Sequence, residues 1–203
     1  KLVVSKAYSL ALNHKNMAII VQNKEDKKYI SNLNKSFSKN IYLIHGSGVD
    51  FNYFQSLPFP SGIPIICLAS RLLFDKGIQE FVETAEKLKK IGLKARFVLV
   101  GKIDESNPSR IPQSLIEEWV SKNIIEWWGY KSNMKQVFSK ATIVVLPSYR
   151  EGLPKVLVEA AACGRPIITT DVPGCRDTVI NKKTGVLIPV RNSMALSEAI
   201  LKL

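Results

Sequence analysis

Two short stretches carry charged residues whose types and spacing suit a ligand that is both phosphorylated and rich in hydroxyls. In LPSYREGLPKVLVEAAACG, residues 146–164, Glu151 and Glu159 stand eight positions apart. An apolar, β-branched run over 142–146 ends at Pro147, a polar loop follows, and Pro154 opens a strongly helical segment that Gly164 and Pro166 close. The order is strand, loop, helix, and the carboxylates flank the helix N-terminus, with Glu159 about two turns in. Such an end presents unpaired N–H groups and a partial positive charge, so it holds phosphate readily. Ionised carboxylates cannot ligate phosphate, but they accept hydrogen bonds from sugar or ribose hydroxyls. One loop therefore suits a sugar nucleotide. The second stretch, ASRLLFDKGI over 69–78, places Arg71 just after an apolar run and Lys76 five residues later, where the next helix starts.

The elements that must position these residues are legible from residue 63 onward. Strands are expected at 63–69, 96–100, 124–127, 142–146, 166–170 and 186–188, and helices at 77–90, 112–121, 134–139, 154–163 and from 193 onward. Apolar strands alternating with helices of this length make a parallel sheet covered on both faces. The expected fold is α/β, a doubly wound Rossmann-like parallel sheet, in which ligands sit beyond the carboxyl ends of the strands. The candidate residues fall there. Gly101, which closes VLVG, permits either close backbone approach to a ligand or a tight strand-end turn. The polar loop 102–111, with Asn107-Pro108, is expected to be mobile. LPFPSG at 57–62 has the composition of a linker. Ahead of it lie strand candidates at 17–22 and 41–44 and a helix to about residue 33 that Asn23 can cap. Two strands and a helix do not close a core. The chain thus divides into 1–60 and a nucleotide-sugar-binding domain at 61–203.

The 203 residues include 29 Lys and Arg against 17 Asp and Glu, a formal charge of +12, which favours anionic partners. The basic residues are dispersed; KEDKK at 24–28 is interrupted by two acids, and no arginine-rich tract or aromatic stacking motif points to nucleic acid. A solvated basic surface, or peripheral contact with an anionic membrane, accounts for the charge. No apolar run approaches the about 18 residues of a membrane span, and no signal-peptide pattern opens the sequence. The expected location is cytoplasmic, with peripheral contact at the inner face of the plasma membrane. Cys67, Cys163 and Cys175 are too few and too irregularly spaced for a disulfide framework or a zinc site. They are read as reduced thiols, with Cys175, in a loop, the one expected at the surface. His14 and His45 are isolated and carry no assigned chemistry. No D-x-D sequence and no G-x-x-x-x-G-K-[ST] loop occurs.

The E-x7-E pattern after a strand, with Arg71 and Lys76-Gly77 upstream, resembles the retaining GT-B glycosyltransferases of family 4, the group 1 glycosyltransferases. The resemblance continues through GSGVD at 46–50, VLVG at 98–101, WWGY at 127–130 and TGVLIP at 184–189, most of the chain from residue 41 on. GSGVD and RLLFDKG look most like bacterial members that extend lipid-linked glycans with an N-acetylated hexosamine. The resemblance implies that 61–203 is the donor-binding C-terminal half of a GT-B fold. It makes 1–60 the tail of the N-terminal acceptor domain with the interdomain linker, so the chain is expected to be a fragment that turns over little alone.

By the same resemblance, Glu151 contacts the donor sugar's hydroxyls and supports positive charge at the anomeric carbon, and Glu159 accepts from the ribose hydroxyls. Gly152 and Leu153 offer N–H groups to sugar and phosphate. The Trp128-Gly129-Tyr130 segment holds the base, so Tyr130 and Gly101 join the nucleotide site. Arg71 and Lys76 stabilise charge growing on the departing diphosphate in place of a metal. No cofactor and no metal are expected. The donor is a UDP-hexose or UDP-N-acetylhexosamine, and the acceptor a polyprenyl-diphosphate-linked saccharide or polysaccharide hydroxyl. Two alternatives stay open: a non-catalytic nucleotide- or anion-binding module of the same fold, and a soluble transferase of glycogen or sucrose type. Without the resemblance, Arg71 and Lys76 read as surface cations, Glu151 as a loop charge, and Trp127 and Trp128 as core. Glu159, inside VLVEAAA, needs a partner if ionised.

Overall fold

The short apolar runs form strands that are covered on both faces, and the alternation of side chains along each strand divides the core in two. The computed structural model describes residues 2–14 and 16–203. It opens with α1 (Leu2–Ala11), β1 (Ile19–Val21), α2 (Lys24–Leu33) and β2 (Ile41–Leu43). There follow β3 (Ile65–Ala69), α3 (Ile78–Lys90), β4 (Arg96–Val100), α4 (Gln113–Ser121), β5 (Glu126–Trp127), α5 (Met134–Lys140), β6 (Ile143–Leu146), α6 (Lys155–Ala162), β7 (Ile167–Thr170), β8 (Gly185–Ile188) and α7 (Ser193–Lys202). The last six strands form one sheet in the order β5-β4-β3-β6-β7-β8, every pairing parallel, with Cys67 opposite Val144 and Leu146 opposite Thr169. This is the doubly wound α/β sheet that the alternation implies.

Ile66, Leu68, Phe97, Leu99 and Val145 are buried with Phe81, Leu88, Trp119 and Leu196 of α3, α4 and α7. Their neighbours Ile65, Cys67, Val98, Val144 and Leu146 are buried with Phe138, Leu157 and Ala160 of α5 and α6. The expected strand at 124–127 shrinks to two residues for a local reason. Asn123 turns left-handed (φ 53°), and the N–H of Ile124 bonds Trp119 O at 2.9 Å while that of Asn123 bonds Val120 O at 2.9 Å. This Schellman motif commits the backbone to closing α4, so Ile125 fills the core without a strand partner. The loop 102–111 is tied down: Leu72 donates to Lys102 O, Phe74 to Ser109 O and Ile111 to Leu72 O.

β1 and β2 form a separate two-stranded parallel sheet over a small core of Val21, Phe37 and Ile41. α1 occupies a segment for which no element is expected from the sequence. Val49 and Phe54, ahead of the expected linker, and Leu57, its first residue, pack on the α5–α6 side of the larger sheet. There Arg165, 2% exposed, donates from Nη2 to the carbonyls of Leu57 (2.8 Å) and Pro58 (2.6 Å).

Cys175 corrects an expectation: it is fully buried, as are Cys67 and Cys163. Its turn folds beneath the loop after β6, and burial pushes its thiol up to about 11 and that of Cys67 up to about 12. With the folded values raised, the thiols leave stability untouched below the unfolded value. Stability is lost as pH rises from about 9 towards 11, because the unfolded chain ionises first. At pH 8 about one part in a thousand of Cys175 is thiolate. The folded protein should therefore resist iodoacetamide at pH 8 and label fully only in denaturant, as read by mass spectrometry. Rapid labelling of native Cys175 would contradict its burial.

Candidate functional site

β3 and β6 are hydrogen-bonded neighbours, but the chain leaves β3 for β4 on one side and β6 for β7 on the other. The loops beyond their carboxyl ends open apart and leave a crevice at this switch point. The loop after β3 brings Arg71 and Lys76, that after β4 begins with Gly101, that after β5 contains Tyr130, and that after β6 carries Glu151, Gly152 and Leu153. Hydroxyls of β7 shape the exit from β6: Thr169 Oγ1 donates to Leu146 O at 2.7 Å, and Thr170 Oγ1 donates to Ser148 O.

Lys76 and Glu151 meet as a shielded ion pair, Nζ to Oε1 2.7 Å, with side chains 12% and 16% exposed. Ser148, fully buried, donates from Oγ to the same Oε1 at 2.7 Å. Both contacts use one oxygen, which leaves Oε2 as the carboxylate's free acceptor. The two loops are joined by Tyr149 N–H to Asp75 O at 2.9 Å. Behind them the Tyr149 hydroxyl donates to Glu80 Oε1 at 2.6 Å. Burial, then Glu80, push the Tyr149 phenol up to about 12.

The adjoining crevice, of about 290 Å³, is lined by Arg71, Gly101, Lys102, Tyr130, Val156 and Glu159 among others. Glu159 is 7% exposed among the apolar residues that follow Lys155 in α6, and its partner is the exposed Lys155 at 3.4 Å. Arg71 is itself exposed and pairs with Asp104 at 3.3 Å. Tyr130 is two-thirds exposed beneath the Lys102 ammonium, 5.7 Å from its ring centre. Gly101 has φ 150°, and a Cβ there would collide with Ser70 O, so the approach of β3 and β4 itself requires glycine. Trp127 Nε1 braces that turn by donating to Gly101 O at 3.0 Å. Trp127 and Trp128 are both partly buried against the cores.

The structure thus gathers Arg71, Gly101, Tyr130 and Glu159 around one crevice and sets Lys76 with Glu151 beside it. Gly152 and Leu153 lead into α6, whose N-cap Pro154 offers no side-chain cap, so the N–H groups of Lys155 and Val156 are available to a ligand. Lys76 and Arg71, grouped in the sequence, take different partners. Ser148 was missed; a serine three residues before a glutamate in a polar loop carries no signal of its own. Lys102 and Val156 were missed likewise. A larger cavity, of about 950 Å³ and lined by Phe59, Arg165 and Lys182 among others, lies at the amino ends of β7 and β8 and contains none of the candidate residues.

The family described as Glycosyl transferases group 1 matches residues 49–203. An N,N'-diacetylbacillosaminyl-diphospho-undecaprenol alpha-1,3-N-acetylgalactosaminyltransferase of Campylobacter jejuni is 30% identical over 98% of this chain and 54% of its own length. The capsular polysaccharide biosynthesis glycosyltransferase CapM of Staphylococcus aureus is 28% identical over 68% of this chain and 36% of its own. Among solved structures, Anabaena HepE in complex with UDP and glucose superposes with a TM-score of 0.80 at 18% identity, covering 98% of this chain and 57% of HepE. Sucrose-phosphate synthase of Thermosynechococcus elongatus gives a TM-score of 0.80 at 25% identity, covering 100% of this chain and 52% of that one. These neighbours are GT-B glycosyltransferases, and the fold is theirs. The chain spans about half the length of the Campylobacter relative and less of CapM.

The two cations should differ in what their loss does to folding. Lys76→Met leaves the shielded Glu151 with Ser148 alone and is expected to cost about 1–3 kcal/mol in urea unfolding. Arg71→Ala removes an exposed pair and should stay within about 0.5 kcal/mol. Equal effects would show that the Lys76 pair is no better shielded than that of Arg71.

Proposed function

Since the chain belongs to the group 1 glycosyl transferases, we propose that the crevice beyond β3 and β6 binds a nucleoside-diphosphate sugar, UDP-hexose or UDP-N-acetylhexosamine. The hexose is transferred with retained anomeric configuration and without a metal. The acceptor is a hydroxyl of a saccharide carried on a polyprenyl diphosphate.

The observation that carries this reading is Glu159. A carboxylate on a largely apolar helix needs polar partners, and this one lines a nucleoside-sized crevice with, among the described residues, only an exposed lysine in reach. Ribose hydroxyls are donors of the right kind. The base rests by Tyr130. The diphosphate lies at the open N-terminus of α6, between Arg71 and Lys76, and the Gly152 and Leu153 N–H groups face it and the sugar. Cleavage of the sugar–phosphate bond builds negative charge on the diphosphate and positive charge at the anomeric carbon. Fixed cations meet the first and Glu151 the second, through an oxocarbenium-like path on one face of the sugar. Ser148 and Lys76 hold Oε1 of Glu151, so Oε2 serves a sugar hydroxyl.

The Campylobacter relative's name, which joins an N-acetylgalactosaminyl group to a diphospho-undecaprenol carrier, supports the donor and acceptor classes, and HepE's complex with UDP and glucose supports the base. A charge of +12, with no described helix long and apolar enough to cross a membrane, supports peripheral contact with an anionic cytoplasmic face.

Calorimetric titration of the chain with UDP, UDP-N-acetylglucosamine, GDP and ADP at matched salt tests the donor site. One nucleotide should be preferred, and Glu159→Ala and Arg71→Ala should each weaken it about tenfold, or about 1.4 kcal/mol. Binding that neither substitution alters would remove the site from this crevice.

A further inference from the structure

Asn23 lies at the exit of β1, in the small sheet, and is fully buried. As the N-cap of α2, its Oδ1 accepts the Asp26 N–H at 2.7 Å. Its amide donates to Asp26 Oδ2 at 2.9 Å and, across 129 positions of sequence, to the carbonyl of Gly152 at 3.2 Å. Two ion pairs flank that contact: Arg150 Nη2 to Asp26 Oδ1, 2.6 Å, and Arg176 Nη1 to Glu25 Oε1, 2.8 Å. Gly174 approaches the same backbone: a Cβ there would collide with the carbonyl oxygens of Glu151 and Gly152. Residues 151–152 are thus in contact with both the start of α2 and the turn at 174.

No described peptide is cis. In a trans peptide the carbonyl and the following N–H point in opposite directions. Fixing the Gly152 carbonyl on Asn23 therefore also fixes the Leu153 N–H, aimed away from the small sheet. We propose that Asn23 is a positioning residue of the donor site. It orients the 152–153 peptide for the sugar and diphosphate, and the Glu25–Arg176 and Asp26–Arg150 pairs keep it in register. The proposal rests on the donor reading above for what the peptide binds, but not for the contact itself.

Two substitutions separate capping from positioning. Ser caps a helix as well as Asn does, yet its hydroxyl is too short to reach Gly152 O; Ala does neither. Asn23→Ala, which loses the cap as well as the amide contacts, should lower the melting temperature more than Asn23→Ser, which keeps the cap. Both should weaken the UDP-sugar about five- to tenfold, the worth of one well-placed hydrogen bond, and UMP distinctly less, because UMP lacks the sugar and the second phosphate that the 152–153 peptide serves. Affinity that follows melting temperature, with Asn23→Ser binding the UDP-sugar as the unsubstituted chain does, would overturn the proposal. Should the unsubstituted chain bind neither nucleotide, the donor reading fails by itself. The contact is then decided by ¹⁵N relaxation: lost order at Gly152 and Leu153 in Asn23→Ser supports it, and unchanged order overturns it.

Discussion

The parallel pairing of β3 with β6 is the constraint from which the rest of the site follows. Parallel strands end on one side of the sheet, and these two send the chain in opposite directions, so loops 75 residues apart in sequence converge without any attraction between them. The charged side chains meet where the core has already placed their backbones. The core's part is visible in the threonines of β7, which bond the backbone of β6 as it leaves the sheet, and in Gly101, whose missing side chain lets β3 and β4 close together.

On that frame the charged residues fall into two kinds. Glu151 accepts from Lys76 and Ser148, both shielded from water, and neither contact is easily exchanged because its loss would strand a partly buried charge. Arg71 and Glu159 have partners that are loose or exposed, at 3.3 Å and 3.4 Å. Pairs of that kind contribute little and are screened, so a ligand can replace them at small cost. A site that does what is proposed here, holding a reacting sugar in one geometry and releasing a nucleotide, needs both kinds. The structure places the rigid pair beside the loop and the exchangeable groups around the crevice.

How much of this was legible varies with the range of the interaction. The sheet was legible because strand burial and helix amphipathicity are written into each segment, and Glu159 stood out because a carboxylate in VLVEAAA contradicts its neighbours. What depends on contacts between distant segments was not. Ser148 looks like any loop serine until β6 and β7 place it under Glu151. Cys175 follows Pro-Gly and precedes Arg-Asp, which reads as surface, yet its turn is folded under the loop after β6. The run 124–127 reads as strand from its apolar residues, whereas the Schellman closure of α4 claims the backbone of Ile124. Asn23 was read correctly as a cap, but a cap uses only its oxygen. The amide donates to Asp26 nearby and also to a second partner 129 residues away.

The small sheet shows why that second partner matters. Its buried core is Val21, Phe37 and Ile41, and two strands with so little apolar area do not stand alone. Its attachment to the larger sheet runs through Asn23, Glu25 and Asp26, and these reach Gly152, Arg176 and Arg150, at or near the loop that carries Glu151. Polar contacts are directional where apolar ones are not, so a seating made from them fixes orientation as well as proximity. A shift of the small sheet by about 1 Å would break the amide contact to Gly152. The shape of the loop is therefore tied to how the two parts of the chain are seated.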